Sequence, residues 1–190
     1  MRFYQNYPPL KLKGERGCIT RYHTYGLKEL INPDSTVLDV GGNVGFFALY
    51  LSQYAKHIDI VEYDKSCIEV FSLVKNHENI QNVVAYHADF KKWTTESRYD
   101  FIMSLAVHKW INMPMRLYFQ KLVGLLKPNG GILIESHPGD DGPALETAIK
   151  DNSDLVRIVS EGLSDDHVPG GFIHDHSGVP RKFFVLKPSQ

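Results

Sequence analysis

The strongest constraint on the fold is an alternation of short apolar runs with longer amphipathic stretches, which begins at Thr36. The short runs are rich in β-branched and aromatic residues, and the stretches between them repeat apolar residues at helical spacing. This pattern is typical of an α/β domain in which helices connect parallel strands. Because most runs are continuously apolar, we expect strands that are buried on both faces. The predicted strands are Val37–Val40, His57–Glu62, Val83–His87, Phe101–Leu105 and Gly131–Glu135.

The stretches between these strands predict helices, and the Lys127–Gly130 segment predicts a helix stop followed by a turn. The predicted helices are Val44–Tyr54, Lys65–Asn79, Pro114–Leu126 and Pro143–Asp151.

The end of the chain departs from this alternation. Leu155–Val159 and Lys182–Leu186 have strand character, with no helical pattern between them, so we expect an antiparallel pair. The connection Ser164–Pro180 is long and rich in Gly, Pro and His, and we interpret it as a flap over a substrate cleft. The predicted fold is α/β, an open and mostly parallel sheet with helices on both faces and a C-terminal antiparallel hairpin.

The N-terminal region 1–31 predicts an irregular segment, residues 1–19, and a helix, Thr20–Ile31, that lies over one end of the sheet. A chain of 190 residues supports one sizeable core. We therefore expect a single domain, in which an arm and helix (1–31) cover the cleft of a Rossmann-like unit (32–190).

The charge is unevenly distributed, although the whole chain carries only −1. Residues 1–31 contain six basic and two acidic residues, which leaves −5 on the remainder. Such an arm either meets a phosphate or carboxylate on a substrate or is simply a solvated surface.

The two cysteines are far apart, and no apolar run approaches the roughly 18 residues that a membrane span needs. The N-terminus also lacks the apolar stretch of a signal peptide. We expect a cytoplasmic protein without a membrane span; the sequence leaves the oligomeric state open.

The most informative segment is Asp39-x-Gly41-x-Asn43-x-Gly45, which lies between a predicted strand and a predicted helix. Glycines there allow positive φ and let a ligand approach the backbone closely. The spacing does not match the GxGxxG pattern of dinucleotide-binding proteins, which disfavours an NAD-dependent oxidoreductase. The segment resembles motif I of the class I S-adenosylmethionine-dependent methyltransferases, with Asn43 in the place of the middle glycine. Asn tolerates the left-handed region well, so the turn is preserved.

Two further signals follow at the ends of the next two strands. Glu62 can accept hydrogen bonds from both hydroxyls of a nucleoside ribose. The alternative is a solvated strand-end acid, with Asp64 as the N-cap of the next helix. In the family that the chain resembles, the position of Asp89 meets the adenine amino group and that of Phe90 flanks the ring. The resemblance implies S-adenosylmethionine as the cofactor, S-adenosylhomocysteine as the product, and cofactor contacts from Asp39, Gly41, Gly42, Asn43, Gly45, Phe46, Glu62, Tyr63, Asp89, Phe90 and Ser104.

The acceptor side is predicted from residues that follow the fourth and fifth strands. His108 and His137 are the candidates for a catalytic base or for a hydrogen bond to the acceptor. The candidates for binding an anionic acceptor are Arg16, Arg21, Lys109 and Arg181. The tail sequence His174-Asp175-His176 suggests a metal site, but adjacent residues rarely all face one ion, and we expect no metal.

Residues 104–112 lack the Asn/Asp-Pro-Pro-aromatic and Pro-Cys signatures of DNA amine and cytosine-C5 methyltransferases. They are similar to a segment of enzymes that methylate the 5′-terminal phosphate of RNA. Gly14-Glu15-Arg16 and Arg21-Tyr22 are similar to segments of small-molecule and carbohydrate methyltransferases. We therefore expect O-methylation of a small, anionic or carbohydrate-like acceptor. The alternatives are an RNA methyltransferase acting on an end phosphate or ribose, and a catalytically silent S-adenosylmethionine-binding subunit.

Overall fold

A computed structural model describes residues 3–164 and 179–189 of the chain. The N-terminal region forms two short strands and two short helices around a 3₁₀ turn at Pro8–Leu10. Its elements are β1 (Phe3–Gln5), β2 (Gly14–Arg16), α1 (Cys18–Thr24) and α2 (Leu27–Leu30).

The rest of the described chain forms a seven-stranded sheet and its covering helices. The strands are β3 (Thr36–Val40), β4 (His57–Glu62), β5 (Val83–His87), β6 (Tyr99–Leu105), β7 (Leu126–Glu135), β8 (Val156–Ser164) and β9 (Arg181–Pro188). The helices are α3 (Phe46–Leu51), α4 (Lys65–His77), α5 (His108–Ile111), α6 (Met115–Gly124) and α7 (Asp141–Asp151). No helix in the described ranges is long and apolar enough to cross a membrane.

The strand order across the sheet is β5-β4-β3-β6-β7-β9-β8. The first five strands in this order are parallel, and β9 lies antiparallel to both β7 and β8. The predicted fold class is confirmed, including the C-terminal antiparallel hairpin. The chain runs from β3 outward to β5 and then returns to β6 on the other side of β3. This reversal opens a crevice at the carboxyl ends of the strands, where ligands bind in open α/β sheets.

Both faces of the sheet are buried, which explains why the strands are continuously apolar. Val37 of β3 packs into one core with Phe46 and Phe47. The next residue, Leu38, points to the opposite face and packs into a second core with Phe119. Successive side chains of a strand alternate between faces, so each central strand contributes to both cores.

The N-terminal region is more ordered than the sequence predicts. Residues 1–19 were expected to be irregular, but β1 and β2 pair in parallel, with Phe3 opposite Gly14. The pairing requires a glycine, because a Cβ atom on Gly14 would lie 2.1 Å from the carbonyl carbon of Gln5. The single helix expected over Thr20–Ile31 is divided into α1 and α2 at Gly26, whose φ is +62°.

Two element boundaries also differ from the prediction. The helix expected from Val44 begins at Phe46, because Gly45 before it has φ of +71°. The predicted turn Lys127–Gly130 lies inside β7, as an irregularity in its pairing with β6. Asn129 within it has φ of +67°, so the turn residues bend the strand without ending it.

Candidate active site

A cavity of about 940 Å³ lies at the carboxyl ends of the parallel strands. Its walls come from the residues that follow β3, β4, β5, β6 and β7, together with the N-terminal strands and the start of β9. The residues predicted for the site that line it are Arg16, Gly41, Asn43, Glu62, Tyr63, Asp89, Phe90, His137 and Arg181.

The turn after β3 is packed too tightly for larger residues. Gly41 has φ of +69°, and a Cβ atom on it would lie 2.2 Å from Cγ2 of Val107. A Cβ atom on Gly42 would lie 2.6 Å from Cγ2 of Ile60. Asn43 has φ of +56°, in the left-handed region that asparagine tolerates. Gly41 and Asn43 therefore bring backbone to the cavity wall, whereas Gly42 and Gly45 shape the turn behind it.

The carboxylate of Glu62 is held by two backbone amides. The N–H of Asn43 donates to Oε2 at 2.8 Å, and the N–H of Asp64 donates to Oε1 at 2.9 Å. Each carboxylate oxygen can accept a second hydrogen bond. Because Glu62 also lines the cavity, the remaining lone pairs fit the two hydroxyls of a ribose. Asp64 additionally caps α4 by accepting from the N–H of Ser66 at 2.8 Å.

Asp39 lies beneath the turn rather than in the cavity wall. It is buried, and its Oδ2 would be 2.9 Å from a Cβ atom on Gly42. Burial raises the pKa of Asp39 to about 7, Glu62 adds to this rise, and Arg21 opposes it. Asp39 is therefore placed to support the turn from below.

The adenine end of the predicted site lies beside β5. Asp89 lines the cavity and accepts a hydrogen bond from the N–H of Lys91 at 2.9 Å. Phe90 lies largely in the core, with its ring 5.9 Å from that of Tyr118. Tyr63 is highly exposed at the same end of the cavity.

Two predicted cofactor residues lie in the core instead of the cavity wall. Ser104 is fully buried, and its hydroxyl is hydrogen-bonded to that of Tyr118 at 2.8 Å. Phe46 is fully buried, with its ring centroid 5.0 Å from that of Phe3. For both residues, core packing replaces the cofactor contact that their sequence positions suggest.

The opposite end of the cavity is built around the fully buried carboxylate of Glu135. Its Oε1 lies 2.9 Å from Nη2 of Arg16, and it accepts hydrogen bonds from Tyr25 Oη at 2.5 Å and Ser164 Oγ at 2.7 Å. Nη1 of Arg181 lies 3.7 Å from Oε2. Glu135 is not among the site residues predicted from the sequence. Its position as an acidic residue at the end of an apolar strand is a signal that could have identified it.

Among the described residues, three arginines act on this one carboxylate. Burial alone would raise the pKa of Glu135, but Arg16, Arg21 and Arg181 together hold it below its usual value. The carboxylate is therefore ionised and surrounded by three guanidinium groups. Arg16 and Arg181 also line the cavity and contribute two cationic side chains to this end, where the acidic Glu15 lines it as well.

Arg21 does not reach the cavity, contrary to its predicted role in binding the acceptor. Its side chain is buried over the ring of Phe47, at 4.6 Å, and its Nε donates to Tyr25 Oη at 3.3 Å. The helix α1 turns this residue inward, so Arg21 acts on the site through the charge that it adds near Glu135.

The two predicted catalytic histidines occupy different places. His137 lines the cavity, whereas His108 is buried on α5 beside a smaller cleft of about 310 Å³. Lys109, predicted for acceptor binding, also borders this smaller cleft, and its Nζ lies 2.7 Å from Oδ1 of Asp141. The structure therefore places His108 and Lys109 behind the part of the main cavity wall that His137 forms.

The environment of the histidines keeps both imidazoles neutral. Burial, together with the neighbouring His108, lowers the pKa of His137 to about 4. Burial also lowers the pKa of His108, although Asp141 opposes this shift. The ring of His137 is flanked by Trp110, a highly exposed residue of the cavity wall, at 6.1 Å between centroids.

The backbone at the acceptor side is strained. Ala106, which follows β6 and lines the cavity, has φ of +51°. A left-handed conformation costs about 1–2 kcal/mol for a residue with a Cβ atom. Strain of this kind is concentrated at functional sites.

Comparisons with known proteins agree with the fold. A 25% identical relative, malonyl-[acyl-carrier protein] O-methyltransferase of Bacillus anthracis, aligns over 132 residues. The alignment covers 68% of this chain but 48% of the relative, so the chain spans about half of the relative's length.

Solved structures are similar over most of the chain. The N-methyltransferase NodS of Bradyrhizobium japonicum WM9, in complex with S-adenosylhomocysteine, superposes with a TM-score of 0.66 at 14% identity. The match covers 90% of this chain and 87% of NodS. An rRNA methylase of Streptococcus thermophilus superposes with a TM-score of 0.62 at 13% identity, covering 88% and 95% of the two chains.

The identity of the cofactor is supported by these similarities and by the geometry of the cavity. The glycine turn and the bound carboxylate of Glu62 fit a nucleoside, and a structurally similar protein binds S-adenosylhomocysteine. The expected cofactor, S-adenosylmethionine, and its product are therefore supported. A family model described as a methyltransferase domain matches residues 13–166, and the chain belongs to this family, with the class I fold.

Proposed function

We propose that the chain transfers a methyl group from S-adenosylmethionine to an oxygen of a small anionic acceptor. The observation that carries the proposal is the order of groups along the cavity. At one end of the cavity, Glu62 is the last residue of β4 and Asp89 lies just after β5. At the other end, Arg16 and Arg181 lie beside Glu135, the last residue of β7. Between them lie β3 and β6, so the nucleoside end and the cationic end are separated by two strands.

When bound, the cofactor supplies a methyl group that is activated by a positively charged sulfur. The chain's own task is to orient the acceptor and to exclude water, which accounts for much of the rate of such a displacement. Val107 and Trp110 contribute apolar surface to the wall between the two ends.

The positive end favours an acceptor that is already ionised. Arg16 and Arg181 can bind a carboxylate or phosphate through paired hydrogen bonds. An ionised oxygen is a nucleophile without losing a proton, so such an acceptor needs no catalytic base. An acceptor that needs no catalytic base is compatible with this site, because Nε2 of His137 is buried and its imidazole is neutral. Of the two predicted catalytic histidines, His137 remains the candidate for contact with the acceptor, and His108 supports it from behind.

The relative that is 25% identical is an O-methyltransferase of a malonyl group, as its name states. This favours an oxygen acceptor over the nitrogen acceptors of an N-methyltransferase. The proposal does not extend to the carrier protein of that relative, because the chain spans about half of its length.

The test is acceptor-dependent release of S-adenosylhomocysteine by the purified chain, measured by mass spectrometry with matched sets of carboxylates, phosphates, uncharged sugars and 5′-phosphorylated RNA. We expect turnover of small anions. Turnover of RNA alone would replace the proposal with RNA methylation. Binding of S-adenosylhomocysteine without any turnover would favour a catalytically silent subunit.

A further inference from the structure

The acceptor side of the cavity contains a cluster of three potential metal ligands from separate parts of the chain. His108 begins α5, His137 follows β7, and Asp141 begins α7. One ligand atom from each of them lies within 4.8 Å of the other two. Two imidazoles and one carboxylate form a ligand set that zinc and other first-row transition metals accept.

The carboxylate is ionised and held in place. Asp141 Oδ2 lies 3.2 Å from Nε2 of His108 and accepts a hydrogen bond from the backbone N–H of His137 at 2.6 Å. The other oxygen, Oδ1, lies 2.7 Å from Nζ of Lys109. Outer contacts of this kind orient the carboxylate ligands of metal sites.

The histidine rings supply a second and independent observation. Nδ1 of His108 and Nε2 of His137 are both buried and have no hydrogen-bond partner among the described residues. The His108 residue is 8% exposed, and the two ring centroids are 5.2 Å apart. A buried ring nitrogen without a partner is costly, so the unpartnered Nε2 of His137 indicates a missing ligand at this cluster. Nδ1 of His108 lies across its ring from the Nε2 that faces Asp141, and is not part of this argument.

The spacing suits a metal ion. Metal–ligand bonds to imidazole and carboxylate are about 2.0–2.2 Å, so neighbouring ligand atoms around one ion lie roughly 3–3.5 Å apart. The 3.2 Å between His108 Nε2 and Asp141 Oδ2 already falls in this range. The ligand atom of His137 lies within 4.8 Å of the other two, so its ring must move closer to complete three ligands.

We propose that His108, His137 and Asp141 bind one divalent transition-metal ion, such as Zn²⁺. The three residues leave at least one coordination position open, as in catalytic zinc sites. Because His137 lines the main cavity, that position faces the acceptor side, where an oxygen of the anionic acceptor coordinates the ion. This last step rests on the proposed function; binding of the ion itself does not.

The experiment measures metal binding directly, without an acceptor. The purified chain is freed of metal with a chelator, and Co²⁺ and Zn²⁺ are then titrated by calorimetry, with visible absorption reporting the Co²⁺ ligands. We expect one ion per chain. His108→Ala and Asp141→Asn should each weaken binding at least about tenfold, the smallest loss expected when a site of this kind is altered.

Three controls make the result specific. His77→Ala removes an exposed histidine of α4 and should leave metal affinity unchanged. Lys109→Met retains all three ligands and should still bind one ion per chain. The double variant His174→Ala/His176→Ala, in the segment outside the described residues, should also retain binding.

Several outcomes would overturn the proposal. They are no binding of either ion, unchanged affinity in both ligand variants, or loss of binding in the tail double variant alone. Affinity for S-adenosylhomocysteine, measured on every variant, separates loss of the metal site from misfolding. A chain that binds metal through these three residues but methylates no anion would retain this proposal and reject the proposed function.

Discussion

The backbone N–H of Asn43 donates a hydrogen bond of 2.8 Å to the carboxylate of Glu62, and so joins the glycine turn after β3 to the end of β4. The same carboxylate is thereby held at the cavity wall and helps to hold the turn. Glu62→Ala should weaken S-adenosylhomocysteine binding by about 1.5–3 kcal/mol, the scale for a charged hydrogen-bond partner. Calorimetry measures this change, and Glu69→Ala, in an exposed pair with Lys65 on α4, is the matched control. An unchanged dissociation constant in Glu62→Ala would contradict the ribose assignment.

Gly41→Ala should damage the site through sterics. The new Cβ atom would lie 2.2 Å from Val107 Cγ2, and the residue would retain φ of +69°. We expect a loss of about 1–3 kcal/mol in the free energy of unfolding, from the left-handed backbone and the overpacking. Because Val107 lines the cavity, cofactor affinity should fall as well. Gly124→Ala is the control, since nothing lies within 4 Å of its added Cβ atom. Equal stability of the two variants in urea denaturation would show that the turn is not tightly packed.

Asp39 should make the stability of the protein depend on pH. The folded carboxyl retains its proton up to about pH 7, whereas its ordinary pKa is 3.8. Between these values the unfolded chain binds fewer protons than the folded protein, so stability falls as pH rises, by at most about 1.4 kcal/mol per pH unit. Above pH 7 the loss levels off.

Asp39→Asn removes this titration and retains a side chain of similar size. The difference in unfolding free energy between wild type and variant should therefore shrink steadily, or reverse in favour of the variant, from pH 5 to pH 7. Urea denaturation at each pH measures the difference. Parallel pH profiles for the two proteins would refute the raised pKa.

Glu135→Ala should strongly destabilise the fold. It would leave Arg16, Arg21 and Arg181 close together without their shared carboxylate. Removing one partner of a buried ion pair typically costs about 3–5 kcal/mol. Asp154→Ala, which breaks an exposed pair with Arg116, should have a much smaller effect in the same denaturation experiment. Similar midpoints for both variants would mean that Glu135 does not hold this end of the cavity together.

Arg181→Gln should separate acceptor binding from cofactor binding. Arg181 lines the cationic end and donates a hydrogen bond to Tyr4 Oη at 2.6 Å. With the anionic acceptor found by the turnover screen, KM should rise at least about tenfold, the scale of one charge-assisted hydrogen bond, while affinity for S-adenosylhomocysteine stays unchanged. Arg116→Gln, at the exposed pair with Asp154, should change neither quantity. A rise in KM that is equal in both variants would indicate a general charge effect instead.

The cofactor side could be anticipated from the sequence because its residues follow β3, β4 and β5, which are consecutive along the chain and adjacent in the sheet. The same reasoning does not place Ser104 correctly, because it considers only where a residue lies along the strand and not which face it points to. Side chains alternate along a strand, and Ser104 points to the face that holds Tyr118, opposite to its neighbour Met103.

The residues of the cationic end could not be predicted from the order of strands in the same way. Arg16, Glu135 and Ser164 come from three distant segments. Ser164 ends β8, which joins the sheet through β9, with Ser164 opposite Arg181. Arg21 and Arg16 look equivalent in the sequence. Arg16 ends β2, whereas Arg21 lies on the side of α1 that packs against the core, and only packing decides which side that is.

The two ends of the cavity differ in the kind of structure that builds them. The nucleoside end is formed by turns that link central strands, where a glycine turn and a backbone-bound carboxylate tolerate little change. Arg16 belongs to a small strand pair outside the main sheet, and Arg181 begins β9, the second strand of the final hairpin. Descendants of this chain could therefore acquire new acceptors by altering these peripheral pieces, while inheriting the same methyl donor.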